Sequence, residues 1–288
     1  MSKGIILCGP TASGKSSLAI KMAKEIDGEI INCDSRQIYK ELPIISAQPS
    51  LEDLNTIPHH MYGIISIEDD YSVGHFLKDV EKAVRKVLAR GKTPIIVGGT
   101  GMYVNALYNG IAEVPEVAKE YINQATEMLE NLGREKFYAE LTKLDNNLTF
   151  DQTNTQRMIR YMSVYLAHNK PLKSFYDNNY KVLTDLEWEP LLLSIPRDKV
   201  YENCNTRFMQ MWEGGVLDEV KAIMESNIDQ KHYTKSIGVQ EVVDYLNGII
   251  TKEDAIALVQ QKTRNYAKRQ MTWFRNKSPF LKIYSILC

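Results

Sequence analysis

A parallel β-sheet flanked by helices, with a small helical insertion, is the α/β fold that this 288-residue sequence predicts. Three observations predict it. Short apolar runs alternate with helically periodic segments from residue 4 to residue 101, which is the pattern of successive βαβ units. Each of those runs ends in a polar or glycine-bearing turn. Between about 112 and 150 the apolar runs disappear and only helical periodicity remains.

The first run, Gly4-Ile5-Ile6-Leu7-Cys8, reads as a buried strand before a glycine turn. From Ser16 to Ile26, Leu18, Ala19, Met22, Ala23 and Ile26 recur at helical spacing, and Asp27-Gly28 supplies the stop. Glu29 to Cys33 is a second strand that delivers Asp34 to its carboxyl end. Residues 76–89 form a periodic helix on Phe76, Leu77, Val80, Val84, Val87 and Leu88, closed by Arg90-Gly91. Pro94 to Val97 is a third strand running into Gly98-Gly99-Thr100-Gly101. In parallel sheets ligands bind beyond the carboxyl ends of the strands. The turns at Gly9–Ser16, Asp34–Ser35 and Gly98–Gly101 are therefore expected to meet in one crevice.

Further along, 117–132 and 134–144 read as amphipathic helices, and 155–168 as another. Leu191 to Ile195 returns to strand character, and 197–288 reads as mostly helical. The expected division is a core of residues 1–111 and 151–288 with a helical insertion at 112–150.

Composition excludes several classes. Hydrophobic residues at 44% and charged residues at 25% are those of an ordinary globular protein. The net charge of -1 excludes a chain coated in positive charge, so a nucleic-acid site must be a local basic patch. Cys8, Cys33, Cys204 and Cys288 are scattered without a CxxC pair, which argues against a zinc site or disulfide framework. No apolar stretch approaches a membrane span. The expected setting is the reducing cytoplasm.

Gly9-Pro10-Thr11-Ala12-Ser13-Gly14-Lys15-Ser16 matches G-x-x-x-x-G-K-[ST] between a predicted strand and a predicted helix, making the core P-loop NTPase-like. The glycines let backbone N–H groups wrap an anionic oxygen cluster, and the helix N-terminus adds a favourable dipole. Lys15 adds a mobile charge, and the Ser16 hydroxyl suits a Mg²⁺ ion bridging phosphate oxygens. The loop does not specify which phosphate compound binds.

Asp34 has three readings at this stage: an N-cap for a helix from Ser35, a Mg²⁺ ligand through water, or a general base. The third strand ends without the carboxylate that many P-loop NTPases place there. Thr100 offers a hydroxyl instead, suited to an oxyanion or leaving group. Arg207 reads either as a solvated helix charge or as part of the site. Five basic residues with interleaved aromatics fall within the fourteen positions 262–275. There Arg264, Lys268 and Arg275 repeat at spacings of 4 and 7, a stripe suited to nucleic-acid phosphates or to solvent. Pro58-His59-His60 lacks further clustered ligands and reads as structural.

Together these runs resemble one family, the bacterial-type tRNA dimethylallyltransferases (tRNA isopentenyltransferases). The resemblance is carried by GPTASGKSSLA at 9–19, NCDSRQIYKEL at 32–42, PHHMYGI at 58–64, YSVGHF at 71–76 and VGGTGMYVNAL at 97–107. It continues in TQRMIR at 155–160, TRFMQMWEGGVLDEV at 206–220, SIGVQE at 236–241 and RNYAKRQMTWFR at 264–275. The resemblance implies transfer of a dimethylallyl group from dimethylallyl diphosphate to N6 of adenine 37, beside the anticodon. It implies a monomer working on the tRNA anticodon stem-loop with Mg²⁺. Asp34 matches the general base. Lys15, the loop Gly9 to Ser16, Thr100 and Arg207 match the groups that handle diphosphate. Asp34, Ser35, Arg36, Gln37, Thr100, Gln156, Arg157, Met158, Ile159, Arg160, Lys235 and Gln240 match tRNA-touching segments, joined by Arg264 and Lys268 of the basic stripe.

Three departures stand out. Ser46-Ala47-Gln48-Pro49 replaces a Thr-Ala-Lys-Pro run and loses a cation. Ser236 to Glu241 replaces Ala-Ile-Gly-Tyr-Lys-Glu, with Val239 and Gln240 losing an aromatic and a basic group. After Pro115 the chain is short, leaving Ala118 or Lys119 where an arginine is expected. Two rival readings compete: a P-loop small-molecule kinase, and a non-catalytic RNA-binding protein.

Overall fold

The computed structural model describes residues 2–148, 150–278 and 281–285. The chain forms two compact units, one of Met1–Asn109 with Val182–Cys288, the other of Gly110–Lys181. The first unit opens with β1 (Ser2–Cys8), α1 (Lys15–Ile26), β2 (Gly28–Asn32), α2 (Leu51–Thr56), β3 (His59–His60), α3 (Val73–Ala89), β4 (Thr93–Gly98) and α4 (Gly101–Asn109). The second unit carries β5 (Ile111–Ala112), α5 (Lys119–Leu144), α6 (Thr155–His168) and β6 (Asn179–Tyr180). The first resumes with β7 (Leu186–Ser194), α7 (Arg197–Glu213), α8 (Val216–Met224), α9 (Gln230–Tyr233), α10 (Val239–Leu246), α11 (Lys252–Lys277) and β8 (Lys282–Ser285).

The main sheet has the order β3-β2-β4-β1-β7-β8, with every neighbouring pair parallel. Its central strands bury Ile6, Leu7, Ile30, Ile31, Ile95 and Ile96 almost completely. That explains their unbroken apolar runs, because a parallel sheet is covered on both faces. Ala19 and Ala23 of α1 pack with the strands on one side, and α3 buries Phe76, Leu77, Val80, Ala83, Val84 and Val87. A separate core formed by α7, α8, α10 and α11 includes Phe208, Trp212, Val220, Val242 and Val259.

The register makes the strand ends level. Cys8 stands beside both Gly98 and Leu192, and Asn32 beside Val97. The turns after β1, β2 and β4 therefore leave the sheet at the same end, beyond the carboxyl ends of the strands. Glycine is required there by close approach: a Cβ on Gly98 would fall 2.0 Å from the Cys33 carbonyl oxygen, and one on Gly101 2.0 Å from Cδ1 of Trp273 on α11.

Taken by itself, the second unit buries Ala125, Leu129, Phe137, Leu141, Met158, Tyr161 and Met162 between α5 and α6. Gly133, at φ 75° and ψ 164°, breaks α5 at the junction expected between 117–132 and 134–144. Asp145 is nearly enclosed. It accepts hydrogen bonds from Tyr161 Oη at 2.5 Å and Lys173 Nζ at 2.7 Å, and these hold its pKa down to about 2.

Two expected boundaries are corrected. The insertion does not end at residue 150 but runs to Lys181, because α6 packs on α5 and β6 pairs with β5. Helical periodicity reports that a face is buried and not which element buries it. The segment 197–288 is mostly helical as expected, with the short strand β8 paired to β7 near its end. β7 itself starts at Leu186 rather than Leu191. Among the described residues no helix is long and apolar enough to cross a membrane. Cys8, Cys33 and Cys204 are buried free thiols, and Cys288 lies outside the described residues.

Candidate functional site

Between β1 and α1 the chain turns through Gly9–Gly14, with Ala12 at φ 60° and Gly14 at φ 87°. Such left-handed residues curl successive N–H groups toward one concavity, and the first turn of α1 adds N–H groups that have no partner within the helix. Ser13 Oγ, within this loop, is buried without a hydrogen-bond partner among the described residues. Lys15 folds back and donates from Nζ to the Pro10 carbonyl at 3.3 Å. Only 9% of its surface is exposed. Burial lowers its pKa; Asp34 opposes that shift and Arg207 adds to it.

α7 brings Arg207 to the loop, where Nη2 donates to Thr11 Oγ1 at 2.6 Å. Desolvation lowers the Arg207 pKa, against the pull of Cys204 and Asp34. Asn203, one turn earlier, donates from its side-chain amide to the Ala12 carbonyl at 3.0 Å. The reading of Arg207 as a solvated helix charge is thereby set aside.

Asp34 leaves β2 with 8% of its surface exposed. Its N–H donates to Asn32 Oδ1 at 2.8 Å, and its Oδ1 accepts from the Arg36 N–H at 2.9 Å. No helix starts at Ser35, so the helix-cap reading is corrected: the carboxylate closes a turn by bonding two residues on. Oδ2 makes no hydrogen bond among the described residues. It lies toward Gly99, where a Cβ would come 3.4 Å from it and 3.1 Å from the Gly9 carbonyl oxygen. The expected meeting of the three turns is thus a matter of contact distances.

Thr100 joins two of the turns. Its Oγ1 accepts from the Ser35 N–H at 2.9 Å and donates to Ser35 Oγ at 3.2 Å, tying the turn after β4 to the turn after β2. It is not among the residues that wall the larger of the two cavities described next.

Two cavities open on Asp34. One of about 600 Å³ is walled by Ala12 to Ser17, Asp34, Gln48, Asp53, His59, Tyr62 and Arg207, among others. A second, of about 60 Å³, is lined by Arg36, Ile45, Ser236, Ile237, Thr263 and Tyr266. Thr11, Asp34, Ser46 and Arg207 belong to both walls. Tyr266 shares the wall of the smaller cavity with Asp34; burial raises its pKa, and the Asp34 charge raises it further.

The remaining expected residues fall into three groups. Ser35, Arg36 and Gln37 lie beside Asp34, with Gln37 Nε2 donating to the Ser46 carbonyl at 3.0 Å. On α11 and nearby, Lys235, Lys268 and Arg275 are exposed. Arg264 is instead held by Asn205 Oδ1 at 2.6 Å and Gln261 Oε1 at 2.7 Å. In the second unit Gln156, Arg157 and Arg160 are exposed and Ile159 is half-buried. Met158 is fully buried in that unit's core, which corrects its placement as an RNA contact. Gln240 donates to Asp244 Oδ1 at 2.7 Å, and Val239 is fully buried, so that departure serves packing. Gln48 donates to the Tyr39 carbonyl at 2.7 Å from the cavity wall. Of the histidine pair, His60 joins Glu29 and Arg90 in an ion-pair cluster, while His59 lines the cavity.

Three residues of the site escaped the sequence reading. Asn32 braces the Asp34 turn through the Asp34 and Met61 carbonyls. Glu219 of α8 accepts from the Ile44 and Ile45 N–H groups at 2.5 and 2.9 Å, holding the loop that carries Ser46 to Pro49. Gln270 of α11 accepts from the Thr11 N–H at 2.8 Å and donates to the Gly99 carbonyl at 2.7 Å. Its signal was present: an uncharged polar residue at spacings of 3 and 4 from buried Ala267 and Phe274.

A family model described as IPP transferase matches residues 37–277, and one described as isopentenyl transferase matches residues 3–62. The chain is 39% identical over 277 residues to the tRNA dimethylallyltransferase of Rickettsia canadensis, covering 95% of this chain and 85% of the relative. It is 37% identical over 291 residues to that of Ehrlichia canis, covering 100% and 96%. Among solved structures it resembles a tRNA isopentenylpyrophosphate transferase of Bacillus halodurans, with TM-score 0.67 and 30% identity over 99% of this chain and 90% of the other. A eukaryotic dimethylallyltransferase acting on tRNA gives TM-score 0.80 and 26% identity over 99% and 74%.

Proposed function

The chain belongs to the tRNA dimethylallyltransferase (IPP transferase) family, and from that membership we propose that it transfers the dimethylallyl group of dimethylallyl diphosphate to N6 of adenine 37 in tRNA. The observation that carries the proposal is the charge arrangement of the larger cavity. Lys15 and Arg207, both shifted by burial toward losing their charge, share its wall with the buried carboxylate of Asp34, while Asp53, the half-exposed second carboxylate of that wall, is engaged by Ser50. Two desolvated cations beside one buried anion favour a polyanionic guest, and diphosphate answers that need.

In this reading the donor diphosphate lies in the phosphate loop, and the adenine reaches Asp34 from the side of the smaller cavity. As the bond from N6 to C1 of the donor forms, the C1–O bond breaks and its electron pair leaves with diphosphate. The N6 proton passes to Asp34 Oδ2. Lys15, Arg207 and the N–H groups of the loop neutralise the leaving group as charge builds on it. Thr100 positions the Ser35 turn.

Among the described residues no group of three or more His, Cys, Asp or Glu side chains is arranged to hold a metal. Mg²⁺ takes one or two protein ligands and completes its shell with phosphate oxygens and water. Ser16, exposed in the first turn of α1 on the cavity wall, would hold it, and the ion would supply charge neutralisation to diphosphate. The tRNA anticodon arm would lie along Lys268 and Arg264. A monomer in the cytoplasm is the setting proposed. The kinase alternative finds no support: β4 ends in glycines without a carboxylate, and the relatives are named for prenyl transfer.

The experiment is to incubate the protein with Mg²⁺, radiolabelled dimethylallyl diphosphate and unmodified tRNA bearing adenines at positions 36 and 37. Label entering tRNA, and lost in Asp34→Ala, is the expected result. ATP turnover without label in tRNA would overturn the proposal.

A further inference from the structure

Gln270 is the one side chain among the described residues that hydrogen-bonds both the phosphate loop and the glycine turn after β4. Its Oε1 accepts from the Thr11 N–H at 2.8 Å, and its Nε2 donates to the Gly99 carbonyl at 2.7 Å, across 259 and 171 residues of chain. Only 5% of its surface is exposed. The fit is close, since a Cβ on Gly99 would fall 2.4 Å from Nε2.

Both hydrogen bonds bear on the site. Thr11 is held twice, by Gln270 at its N–H and by Arg207 at its hydroxyl. Gly99 is packed against the Gly9 carbonyl and toward Asp34 Oδ2. An amide is the functional group this position demands: one end must accept from an N–H and the other donate to a carbonyl, with no charge in a buried place. A carboxylate would face the Gly99 carbonyl with two acceptors, and an apolar side chain would leave both backbone groups unsatisfied.

We propose that Gln270 is a positioning residue, which sets the phosphate loop, and through Thr11 the Arg207 guanidinium, in the geometry that receives diphosphate. The inference rests on the diphosphate reading of the cavity, but it locates part of the control of donor binding on α11, the helix that also carries Arg264 and Lys268. Donor and RNA binding are thus separable by substitution on one helix: position 270 governs the first, and positions 264 and 268 the second.

The test uses Gln270→Met, close in size and without hydrogen bonds, in the full chain. Inorganic diphosphate binding is measured by calorimetry without tRNA, alongside tRNA affinity and the melting midpoint. The expected result is a loss of diphosphate affinity of about tenfold, the scale of one buried hydrogen bond left unmade. tRNA affinity stays within about twofold, well inside a single hydrogen bond. Diphosphate affinity equal to wild type in a folded Gln270→Met protein overturns the proposal. If that variant does not fold, the wild-type chain still decides: the Thr11 amide should exchange slowly in ligand-free protein by NMR, and exchange at the rate of an exposed amide overturns it. Because inorganic diphosphate is the probe, a chain that bound it normally yet transferred no prenyl group would fail the functional proposal and leave this one standing.

Discussion

Arg207 and Thr11 are joined by a hydrogen bond of 2.6 Å across 196 residues of chain, so a helix from the C-terminal half completes a loop built in the N-terminal half. The guanidinium is both anchor and charge. Replacing Arg207 or Lys15 with alanine should raise KM for the prenyl diphosphate by about tenfold to a hundredfold, since each removes a desolvated charge from a charged ligand. Arg207→Lys should rescue poorly, because one ammonium cannot hold Thr11 and reach diphosphate in the planar geometry of arginine. Steady-state kinetics with varied donor check this, and unchanged KM and kcat would contradict the assignment.

Asp34→Asn should lower kcat by about 10² to 10⁴, the range of a positioned general base. Asparagine can still accept from the Arg36 N–H, so the turn is kept. tRNA affinity, read by filter binding, should therefore stay unchanged. A kcat within twofold of wild type would remove Asp34 as the base.

The basic stripe makes a prediction that salt can test. Neutralising Arg264 and Lys268 should weaken tRNA binding and flatten its log–log salt dependence by about one unit for each RNA phosphate left without its cation. Arg264 is also held by Asn205 and Gln261, so its variant should cost some stability as well. An identical salt slope would make the stripe a solvated helix face.

Gly101→Ala should destabilise the first unit by about 1–3 kcal/mol, because the new Cβ overlaps the Trp273 ring. Combined with Trp273→Ala, the loss should be smaller than the sum of the single changes. Urea denaturation of the four proteins measures the coupling, and simple additivity would show that the ring moves aside freely.

Acid should loosen the second unit in a defined window. The Asp145 pKa is lowered from 3.8 to about 2, chiefly by Lys173 and then by Tyr161. A carboxyl lowered on folding stabilises the fold fully above its unfolded pKa, and that contribution is lost as pH falls through the folded value. Asp145→Ala should thus cost about 2 kcal/mol at neutral pH, the scale of hydrogen bonds to a charged group. Its stability should then be less pH-dependent than wild type between about pH 4 and pH 2. Parallel pH curves for the two proteins would refute this.

Local chemistry made the sheet and the loop legible in advance. An apolar run such as Ile5 to Cys8 has few ways to be buried other than as a central parallel strand, and Gly9 to Ser16 encodes its turn in its own backbone preferences. The level register of Cys8, Asn32 and Gly98 then brings Asp34 to the loop, as the turns at the carboxyl ends of parallel strands implied. The far boundary of the insertion was not legible, because the apolar stripe of α6 reads the same whichever helix covers it. Met158 failed for the same reason: a motif position says nothing about which way a helix turns its face.

Hydrophobic period and glycine placement in this chain are therefore enough to dictate the parallel core, the anion-binding loop and the carboxylate beside it, because each depends on residues near one another in sequence. Tertiary structure alone decided that Arg207 grips Thr11, that Gln270 bridges Thr11 to Gly99, that Thr100 is occupied by Ser35, and that Glu219 anchors the cavity loop. Those hydrogen bonds span from 65 to 259 residues. They exist because a polar group buried by packing must find whatever partner the fold has brought to it, and no short stretch of sequence carries that information.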